Sequence, residues 1–516
     1  MAASHPLPEP VSHGRRLTAL AAAHPDKDAI VYAAPDGAER RVSWAELDRR
    51  SSQVARLLAA RGVGEGATVV VGLPNCPEHF LACFAAWKLG GLALPLRAAL
   101  PAPERDALLA LARPALVVAE WGELPYPTLS PADLDQAAGY ADGPLPDRVP
   151  HPGRAVASGG ATGRPKLVVA PGPLAATPGA YAGLFGPLGF GVGQTQLVAG
   201  PLYHAMPFVT SYWGLFEDHT LVLMARFDAA RAVDLIERHR VEWAYLAPTM
   251  MHRIVALPGL AARDFSSLRS IASTAAPCAP WLKRAWIALL GPERVAEAYL
   301  QSEGVGGAVI RGDEWLAHPG SVGKPYLTEL RILDDAGNAL PPGAVGEIYM
   351  RFDPQLLPSP SYRYIGAPAA RATPDGLESV GDLGWLDEEG YLYIADRRVD
   401  LVITGGANVY PAEVEAALSE HPGIADVAVV GVPDREWGKR VHAVVEPRDP
   451  AAPPAVGELD AHCRARLASY KVPKSYEFLA ALPRTEAGKV RRSALAAERA
   501  GGWTPAMVAP ARPSRA

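Results

Sequence analysis

The chain has 516 residues, of which 49% are hydrophobic and 20% are charged, a balance typical of a globular protein of two or more packed units. Its formal net charge of −5 offers no basic stripe, which excludes nucleic acid as the expected partner. No apolar run reaches the about 18 to 20 residues of a membrane span, and the start of the chain lacks the apolar core of a secretory signal.

The cysteine pattern excludes two further classes of protein. The four cysteines are Cys76, Cys83, Cys278 and Cys463. They show neither the CxxC or Cys/His spacing of a zinc site nor the density of a disulfide framework. Four unpaired thiols suit a reducing compartment, so we expect a cytoplasmic protein.

Helix and strand patterns alternate through the first three quarters of the chain. Apolar residues recur at helical spacing from Trp44 to Arg61, and the run ATVVVGL at 67–73 predicts a buried strand. The alternation continues with a helix that reaches Trp87, strands at 92–96 and 114–120, a helix at 229–240, apolar runs at 243–247 and 268–274, and a helix at 280–290. This order predicts a doubly wound α/β region that extends to about residue 395.

The pattern changes after Asp400. A short apolar strand, LVIT, is followed by a Gly-Gly-Ala-Asn turn, a helix that begins at Pro411 and two strands, ADVAVVGV and RVHAVVEP. We therefore predict an α/β protein with a small α+β domain after the large one. The predicted units are a loose N-terminus (1–10), a large N-terminal domain (11–397), a small C-terminal domain (398–500) and a loose tail (501–516).

The segment SGGATGRPKL at 158–167 is the first candidate functional motif. Three glycines, a threonine and a lysine suit a loop that wraps phosphate oxygens with backbone N–H groups and a hydroxyl. It differs from a Walker A loop, because Arg164 and Pro165 separate Gly163 from Lys166. Taken alone, the segment is equally consistent with an ordinary glycine-rich turn.

A second motif, EAYLQSEG, occupies residues 297–304. It places an aromatic ring, a hydroxyl and a carboxylate within five residues, as Tyr299, Ser302 and Glu303. Carboxylate oxygen is the ligand type that Mg²⁺ prefers. Without the other motifs, the segment is more typical of a strand end with a solvated glutamate.

Two more segments complete the set. Within 379–415, Asp382 follows a glycine and Arg397 lies further along, and this pair suits a ribose and a phosphate as well as a simple surface ion pair. In ALPRTEAGKVRR at 481–492, Lys489 follows a glycine, in a basic turn of the kind that is usually solvated.

In their order and spacing, the four segments resemble the motifs of the adenylate-forming superfamily, which includes acyl-CoA synthetases, peptide-synthetase adenylation domains and luciferases. The segments PLYHAMPF at 201–208, TAAPCAPWLKRAW at 274–286 and ADRRVDLVITGGANVYPAEVE at 395–415 are most similar to bile-acid-CoA-ligase-like members. The resemblance implies ATP-dependent adenylation of a small carboxylic acid and its transfer to CoA, with ATP and Mg²⁺ bound and a mobile C-terminal domain.

The resemblance also implies a role for each matching residue. The ATP-binding residues would be Ser158, Gly159, Gly160, Thr162, Gly163 and Lys166 for the phosphates, Ala275, Ala276, Pro277 and Tyr299 for adenine, Asp382 for the ribose hydroxyls, Arg397 for the ribose or a phosphate, Ser302 for the α-phosphate, and Lys489. Glu303 would hold Mg²⁺, and Lys489 would be the mobile catalytic lysine, with Ser302 and Glu303 beside it in catalysis. Tyr203 and His204 would contact the substrate or gate its pocket, although the sequence is equally consistent with a packed structural histidine. Leu300 would border the substrate, and Arg398, Val399 and Asp400 would form the hinge.

Three positions depart from the family pattern. Ala161 lacks a usual hydroxyl, which removes one phosphate contact of about 1 kcal/mol. Leu300 replaces a usual glycine, which predicts that its side chain intrudes on the acid pocket and disfavours a bulky substrate. Val399 replaces a charged hinge residue and changes no expectation.

The sequence leaves three readings of the function open. The first is an acid–CoA ligase. The second is a diazotase of secondary-metabolite biosynthesis, which would adenylate nitrite and condense it with an aromatic amine. This alternative stays open because Leu300 and Ser302 differ from the residues that are usual in the family motif. The third is a non-catalytic nucleotide-binding protein, which the joint presence of Lys489, Glu303, Asp382 and Arg397 disfavours. The acid, the acceptor and the oligomeric state are not specified.

Overall fold

The computed structural model describes residues 9–159, 165–353, 362–398, 400–404, 407–434, 437–485, 490 and 492–500, with the side chain of Arg397 left out. The helices in this part of the chain are α1 (His13–Ala23), α2 (Trp44–Ala60), α3 (Pro77–Lys88), α4 (Ala102–Ala112), α5 (Ala180–Phe185), α6 (Ala205–Phe216), α7 (Ala229–Arg238), α8 (Pro248–Val255), α9 (Pro280–Leu290), α10 (Gly312–Ala317), α11 (Pro411–Ser419), α12 (Val456–Arg464) and α13 (Arg492–Ala500). Short 3₁₀ helices cover Ala132–Gly139, Gly186–Leu188, Leu260–Ala262 and Pro292–Arg294.

The strands follow the same chain order. They are β1 (Val11–Ser12), β2 (Asp28–Ala33), β3 (Glu39–Ser43), β4 (Thr68–Gly72), β5 (Leu92–Pro95), β6 (Leu116–Ala119), β7 (Thr128–Leu129), β8 (Arg154–Gly159), β9 (Pro165–Ala170), β10 (Ala175–Ala176), β11 (Thr195–Val198), β12 (Thr220–Met224), β13 (Trp243–Tyr245), β14 (Ser270–Ser273), β15 (Val295–Leu300), β16 (Gly307–Arg311), β17 (Lys324–Pro325), β18 (Thr328–Leu333), β19 (Gly346–Phe352), β20 (Arg363–Ile365), β21 (Glu378–Leu386), β22 (Leu392–Arg397), β23 (Val402–Thr404), β24 (Ala407–Val409), β25 (Ile424–Asp434), β26 (Gly438–Pro447) and β27 (Ser475–Phe478).

Two large mixed sheets organise the N-terminal part. One has the strand order β17-β16-β15-β14-β13-β11-β12-β2-β3, and the other has the order β20-β9-β8-β5-β4-β6-β7. Their central strands run parallel. Both edges of the first sheet and the β20-β9-β8 edge of the second are antiparallel, whereas β7 pairs parallel with β6. The helices α1, α2, α3 and α6 pack between the two sheets in the largest apolar core. The predicted α/β class is confirmed.

Most described strands after β17 form different sheets, whereas β20 joins β9 at the edge of the second large sheet. The order β18-β19-β21-β22 is wholly antiparallel, so these four strands are not part of the doubly wound region that the sequence predicted to extend to about residue 395. The C-terminal part forms a sheet of β24-β23-β26-β25 with β27 paired to β26, and helices α11 and α12 pack on it.

Local sequence explains where the clearest helices begin. Helix α2 starts after Ser43, whose side chain accepts a hydrogen bond from the N–H of Glu46 at 3.2 Å and so satisfies one free donor of the first turn. Helix α9 begins at Pro280, whose fixed φ and missing N–H suit the first helical position. Its observed span equals the predicted one, 280–290.

Candidate active site

The carboxyl ends of two neighbouring parallel strands bring the predicted nucleotide residues together. Strand β14 leads into the turn that contains Ala275, and β15 leads through Tyr299 to Ser302 and Glu303. Ligands of α/β proteins bind at this edge of a sheet. Ala275 has a φ of 78°, a left-handed conformation that is strained for a residue with a Cβ. Strain of this kind is common at functional sites.

The glycine-rich segment connects two antiparallel strands. Strands β8 and β9 pair in register as far as Ser158 with Lys166 and Gly159 with Pro165. Gly160, Ala161, Thr162, Gly163 and Arg164 lie outside the described residues. A strand-to-strand connection differs from the strand-to-helix connection of a Walker A loop, in agreement with the sequence.

A three-residue cluster forms beside this connection. Lys166 Nζ lies 3.2 Å from Glu303 Oε1 and 3.6 Å from the centre of the Tyr364 ring. The Tyr364 hydroxyl donates to the same Glu303 oxygen at 2.7 Å. Burial, followed by the hydrogen bond to Glu303, raises the pKa of Tyr364 above its ordinary value, so its hydroxyl keeps its proton near neutral pH. The cluster holds one carboxylate and one cation in fixed positions.

The Glu303 carboxylate fits a magnesium ion that is shared with a nucleotide. No group of three or more His, Cys, Asp or Glu residues able to hold a metal occurs in the described ranges, so these ranges contain no all-protein metal cage. Mg²⁺ typically takes one or two carboxylates and completes its shell with phosphate oxygens and water. Glu303 lines a cavity of about 670 Å³ and can supply such a carboxylate.

The predicted adenine and ribose residues also converge. The Tyr299 hydroxyl donates a short hydrogen bond to Asp382 Oδ2, although the two residues are far apart in the chain. Asp382 on β21 lies directly opposite Arg397 on β22, so the backbone places the predicted pair side by side. Ala276 and Pro277 follow Ala275 in the connection between β14 and α9, and Ala275 and the exposed Ser302 line the same cavity.

A cavity of about 670 Å³ opens beside these residues. Its wall includes Ser302, Glu303, Thr274 and Ala275. The remainder is lined mainly by apolar side chains, among them Met206, Leu184, Phe185, Trp213 and Tyr245. The volume falls within the range of small-molecule sites, about 300–1,000 Å³. The cavity can therefore hold an acid with an apolar body, with its carboxylate near the nucleotide.

The predicted substrate residues differ in position. His204 and Leu300 line the cavity, whereas Tyr203 does not and instead packs its ring 4.2 Å from that of His204. His204 occupies the N-cap position of α6, whose first turns carry cavity residues such as Met206. Direct substrate contact is thus available to His204 and Leu300.

Leu300 packs against a glycine of the neighbouring strand, and its effect on the size of the acid stays a prediction. Leu300 pairs with Gly307 across β15 and β16, and its Cδ2 atom lies only 2.4 Å from the position that a Cβ at Gly307 would occupy. The side chain therefore fills the space that the glycine leaves on the neighbouring strand. Leu300 also lines the cavity of about 670 Å³.

Replacing Gly307 by alanine is expected to lower stability and to weaken binding of the acid. The new Cβ would meet Leu300 Cδ2 at 2.4 Å and the Tyr299 carbonyl oxygen at 2.7 Å, and the backbone oxygen cannot move easily. We expect a loss of about 1–3 kcal/mol in the free energy of unfolding, measured by urea denaturation, and a higher KM for the acid. Gly64→Ala, which adds a Cβ in open space, is the control; equal behaviour of the two variants would contradict this account.

Gln301 is an unexplained polar residue of the same strand end. It lines the cavity, yet both its amide nitrogen and its amide oxygen are enclosed and have no hydrogen-bond partner in the described part of the chain. An enclosed polar group without a partner costs about 1–3 kcal/mol. Unpaired polar groups that lower the stability of the folded protein, here next to Ser302 and Glu303, are typical of a functional site.

Gln301→Met is therefore expected to stabilise the protein. Methionine has nearly the same shape without the two unpaired groups, and we expect the free energy of unfolding to rise by about 1 kcal/mol, measured by chemical denaturation. Gln136→Met is the control, because Gln136 is exposed and donates to Asp133 at 2.9 Å. An unchanged or lower stability of the Gln301 variant would show that its amide has a partner.

The predicted hinge lies among ion pairs. Arg398 contacts Glu347 and Asp335, each at 2.8 Å, and Asp400 contacts Arg492 at 3.2 Å. Arg492 also binds Glu415 at 2.6 Å. The basic turn that looked solvated in the sequence is thus paired in part. Val399, Gly405, Gly406 and Lys489 lie outside the described residues.

Three residues of the cavity and its edge escaped the sequence analysis: Arg154, Tyr364 and Trp213. Tyr364 lies between undistinguished neighbours, and only the pairing of β20 with β9 brings it to Glu303. The sequence around Trp213 indicates only an ordinary core residue of α6. Of the three, only Arg154 could have been singled out from the sequence, because it is a charged residue at the start of the otherwise uncharged strand RAVASG.

A two-domain α/β fold that brings together a carboxylate, a lysine and an aspartate from three sheets, as Glu303, Lys166 and Asp382, is that of an ATP-dependent, AMP-forming ligase. The chain belongs to the AMP-binding enzyme family: the family model matches residues 17–358, and the model of the AMP-binding enzyme C-terminal domain matches residues 413–489. This membership confirms the predicted fold and the predicted class of enzyme, an acid–CoA ligase that forms an acyl-adenylate, with ATP and Mg²⁺ as its nucleotide and metal.

Curated and solved relatives span nearly the whole chain. A fatty acid–acyl-carrier-protein ligase, ScoC, of Streptomyces coeruleorubidus is 32% identical, with 88% of this chain and 91% of the relative covered. A feruloyl-CoA synthase of Amycolatopsis sp is also 32% identical, with 87% and 92% covered. The structure of o-succinylbenzoate coenzyme A synthetase of Bacillus subtilis with ATP and magnesium ion is 27% identical, with a TM-score of 0.78 and 94% and 99% covered.

The structure also bears on the expected absence of a membrane span. Across the described residues, no helix is both long and apolar enough to cross a membrane.

Proposed function

We propose that this enzyme activates a medium-sized carboxylic acid with an apolar body and transfers its acyl group to CoA. The observation that carries the proposal is the 670 Å³ cavity, which is mainly apolar and includes Ser302 and Glu303 in its wall. An acid that fills it would present its carboxylate beside the α-phosphate. The overall reaction would be acid plus ATP giving acyl-AMP and pyrophosphate, and then acyl-AMP plus CoA giving acyl-CoA and AMP.

In this proposal each polar group has a defined task. The hairpin from Ser158 to Lys166, including Gly159, Gly160, Thr162 and Gly163, would hold the β- and γ-phosphates. Tyr299 and the backbone of Ala275, Ala276 and Pro277 would enclose adenine, while Asp382 and Arg397 would bind ribose. Tyr364 keeps Glu303 in place through its 2.7 Å hydrogen bond.

The chemistry of the first step requires stabilisation of charge. The acid oxygen attacks the α-phosphorus while pyrophosphate leaves, so negative charge develops on the bridging and equatorial oxygens. Lys489 would meet that charge, with Ser302 at the α-phosphate. A magnesium ion at Glu303 would neutralise the phosphates. Lys166, already paired with Glu303 at 3.2 Å, is placed to join the phosphate contacts.

The two half-reactions would use two arrangements of two domains. We propose a large domain over residues 11–397 and a small one over 398–500, with short ends at 1–10 and 501–516. Rotation about Arg398, Val399 and Asp400 would withdraw Lys489 and bring the turn around Asn408 to the site. The ion pair of Arg398 with Glu347, at 2.8 Å, would be one contact to break. Because ATP and CoA are intracellular substrates, we propose a cytoplasmic location.

The choice of acid is tested by a panel. Pyrophosphate exchange and CoA-thioester formation are measured with aliphatic, aryl and steroid acids, the last because of the bile-acid-CoA-ligase-like motifs. The same assay is run with nitrite and aromatic amines. Thioester formation from an aliphatic, aryl or steroid acid supports the proposal. Nitrite-dependent AMP release with a diazo product, and no thioester, would replace the proposal with the diazotase function. If no thioester formed but the acyl group were transferred to a carrier protein or an amine, that molecule would replace CoA as the acceptor.

A further inference from the structure

Arg154 is a cation in the wall of the acid cavity, at the end away from the nucleotide. It begins β8, and alternate residues of a strand face the same side, so Arg154, Val156 and Ser158 share one face. Arg154 and Val156 both line the cavity. At about 3.3 Å per residue, the Cα atoms of Arg154 and Ser158 are about 13 Å apart. This separation between Arg154 and Ser158 is comparable to the length of a small elongated substrate.

The groups around Arg154 are aromatic and uncharged. Its guanidinium carbon lies 6.0 Å from the Trp213 ring, and Tyr181 stacks on Trp213 with ring centres 4.5 Å apart. The Tyr181 hydroxyl contacts His13 Nε2 at 3.0 Å. Burial, assisted by Arg154, lowers the pKa of His13 to about 3, so this imidazole is neutral at physiological pH.

No carboxylate in the described part of the chain pairs with Arg154. The acidic group behind Tyr181 is Glu217, which is buried and engaged elsewhere. Its two oxygens accept hydrogen bonds from the backbone N–H groups of Gly179 at 2.8 Å and Tyr181 at 3.0 Å. The guanidinium thus lines an apolar cavity without an acidic partner from these residues.

A lone cation in such a place needs a compensating partner. Removing a guanidinium from bulk water is unfavourable unless a charge or several acceptors replace the water. The Trp213 ring is a weak substitute, because 6.0 Å is the outer limit of a cation–π contact. A carboxylate matches the planar fork of an arginine with two parallel hydrogen bonds. The missing partner is best supplied by the substrate.

We propose that the acid substrate carries a second carboxylate at the far end of its apolar body, and that Arg154 binds it. This inference rests on the proposed function and names its substrate class: a dicarboxylic acid whose two carboxylates are separated by roughly the length of the cavity. One carboxylate reacts at Ser302 and Glu303. The other pairs with Arg154 and orients the acid, so Arg154 is a specificity-determining residue outside the reacting centre.

The test compares matched acids with and without the second carboxylate, graded in length, in straight-chain and aryl series. For the wild type, we expect the diacid of the best length to exceed its monoacid in kcat/KM by about 100-fold. Arg154→Met should remove this preference, lowering kcat/KM for the diacid about 100-fold while leaving or improving the monoacid. Arg154→Lys should keep part of the preference, because it keeps the charge without the fork.

Two controls separate specificity from folding. Arg284→Met removes an arginine that lies 5.3 Å from the Trp315 ring, outside the cavity, and should leave the preference unchanged. Binding of diacid and monoacid to wild type and Arg154→Met is also measured by titration calorimetry, without turnover. A variant that still binds and activates the monoacid is folded, so its loss of diacid preference cannot come from misfolding.

Failure of this inference and failure of the proposed function give different results. Activation of acids to CoA thioesters with no diacid preference, or with a preference that survives in Arg154→Met, would overturn the inference and leave the ligase intact. Diacid binding that depends on Arg154, without any thioester, would overturn the proposed function and leave the inference standing. No binding and no turnover of any diacid would overturn the inference.

Discussion

Glu303→Gln is expected to lower kcat/KM for MgATP by about 100-fold. The carboxylate is the hard anionic oxygen that a nucleotide-bound magnesium ion needs, and it also balances Lys166 at 3.2 Å. The amide of glutamine keeps the shape of the side chain but lacks the negative charge that both the magnesium ion and Lys166 need. Initial rates of pyrophosphate release at increasing magnesium concentration measure the effect. The variant should require more magnesium for half-maximal rate and should recover part of its activity when magnesium is raised.

Two variants give this experiment its control. Tyr364→Phe removes the 2.7 Å hydrogen bond to Glu303 but retains the carboxylate, so its loss should be about tenfold at most. Glu388→Gln removes a charge from an exposed position and should have no effect. If Glu303→Gln kept a wild-type magnesium dependence, the carboxylate would serve only to anchor Lys166 and Tyr364.

The parts of the fold that could be predicted are those encoded by local periodicity. Helix α9 was predicted at its observed limits, because apolar residues recur at helical spacing behind a starting proline. The buried strands β4 and β5 were predicted because strands covered on both faces appear as continuous apolar runs. The antiparallel β18–β22 sheet could not be placed in this way, since its strands carry mixed polar and apolar residues and its pairing depends on partners far along the chain.

The residues of the site also divide into those that the sequence could predict and those that it could not. Tyr299, Glu303 and Asp382 belong to short motifs, and motif order was enough to select them. Tyr364 and Arg154 reach the site only through the pairing of neighbouring strands and the packing of the cavity wall. The packing of Leu300 could not be predicted for the same reason. Its neighbour is Gly307 on the opposite strand, and the register of two strands is a tertiary property that a motif does not contain.

Lys489→Ala is expected to separate the two half-reactions. The expectation rests on the motif PRTEAGK at 483–489, because Lys489 lies outside the described residues. An ammonium that meets charge developing at the α-phosphate should contribute about 10²–10³-fold to the rate of adenylation, while KM for ATP and acid changes little. Rapid-quench measurement of acyl-AMP formation would give the first rate, and transfer to CoA from separately supplied acyl-AMP would give the second, which should remain near the wild-type value.

The contrast between those two rates is what makes the lysine experiment decisive. Lys439→Ala removes the same charge from an exposed position of the C-terminal part and should alter neither rate, so it controls for a general electrostatic effect. If Lys489→Ala slowed both half-reactions equally, the lysine would act on the packing of the C-terminal part rather than on the developing charge. If it slowed neither, the charge would have to be met by Lys166, which the structure already holds 3.2 Å from Glu303, and the proposed rotation about Arg398 to Asp400 would lose its chemical purpose.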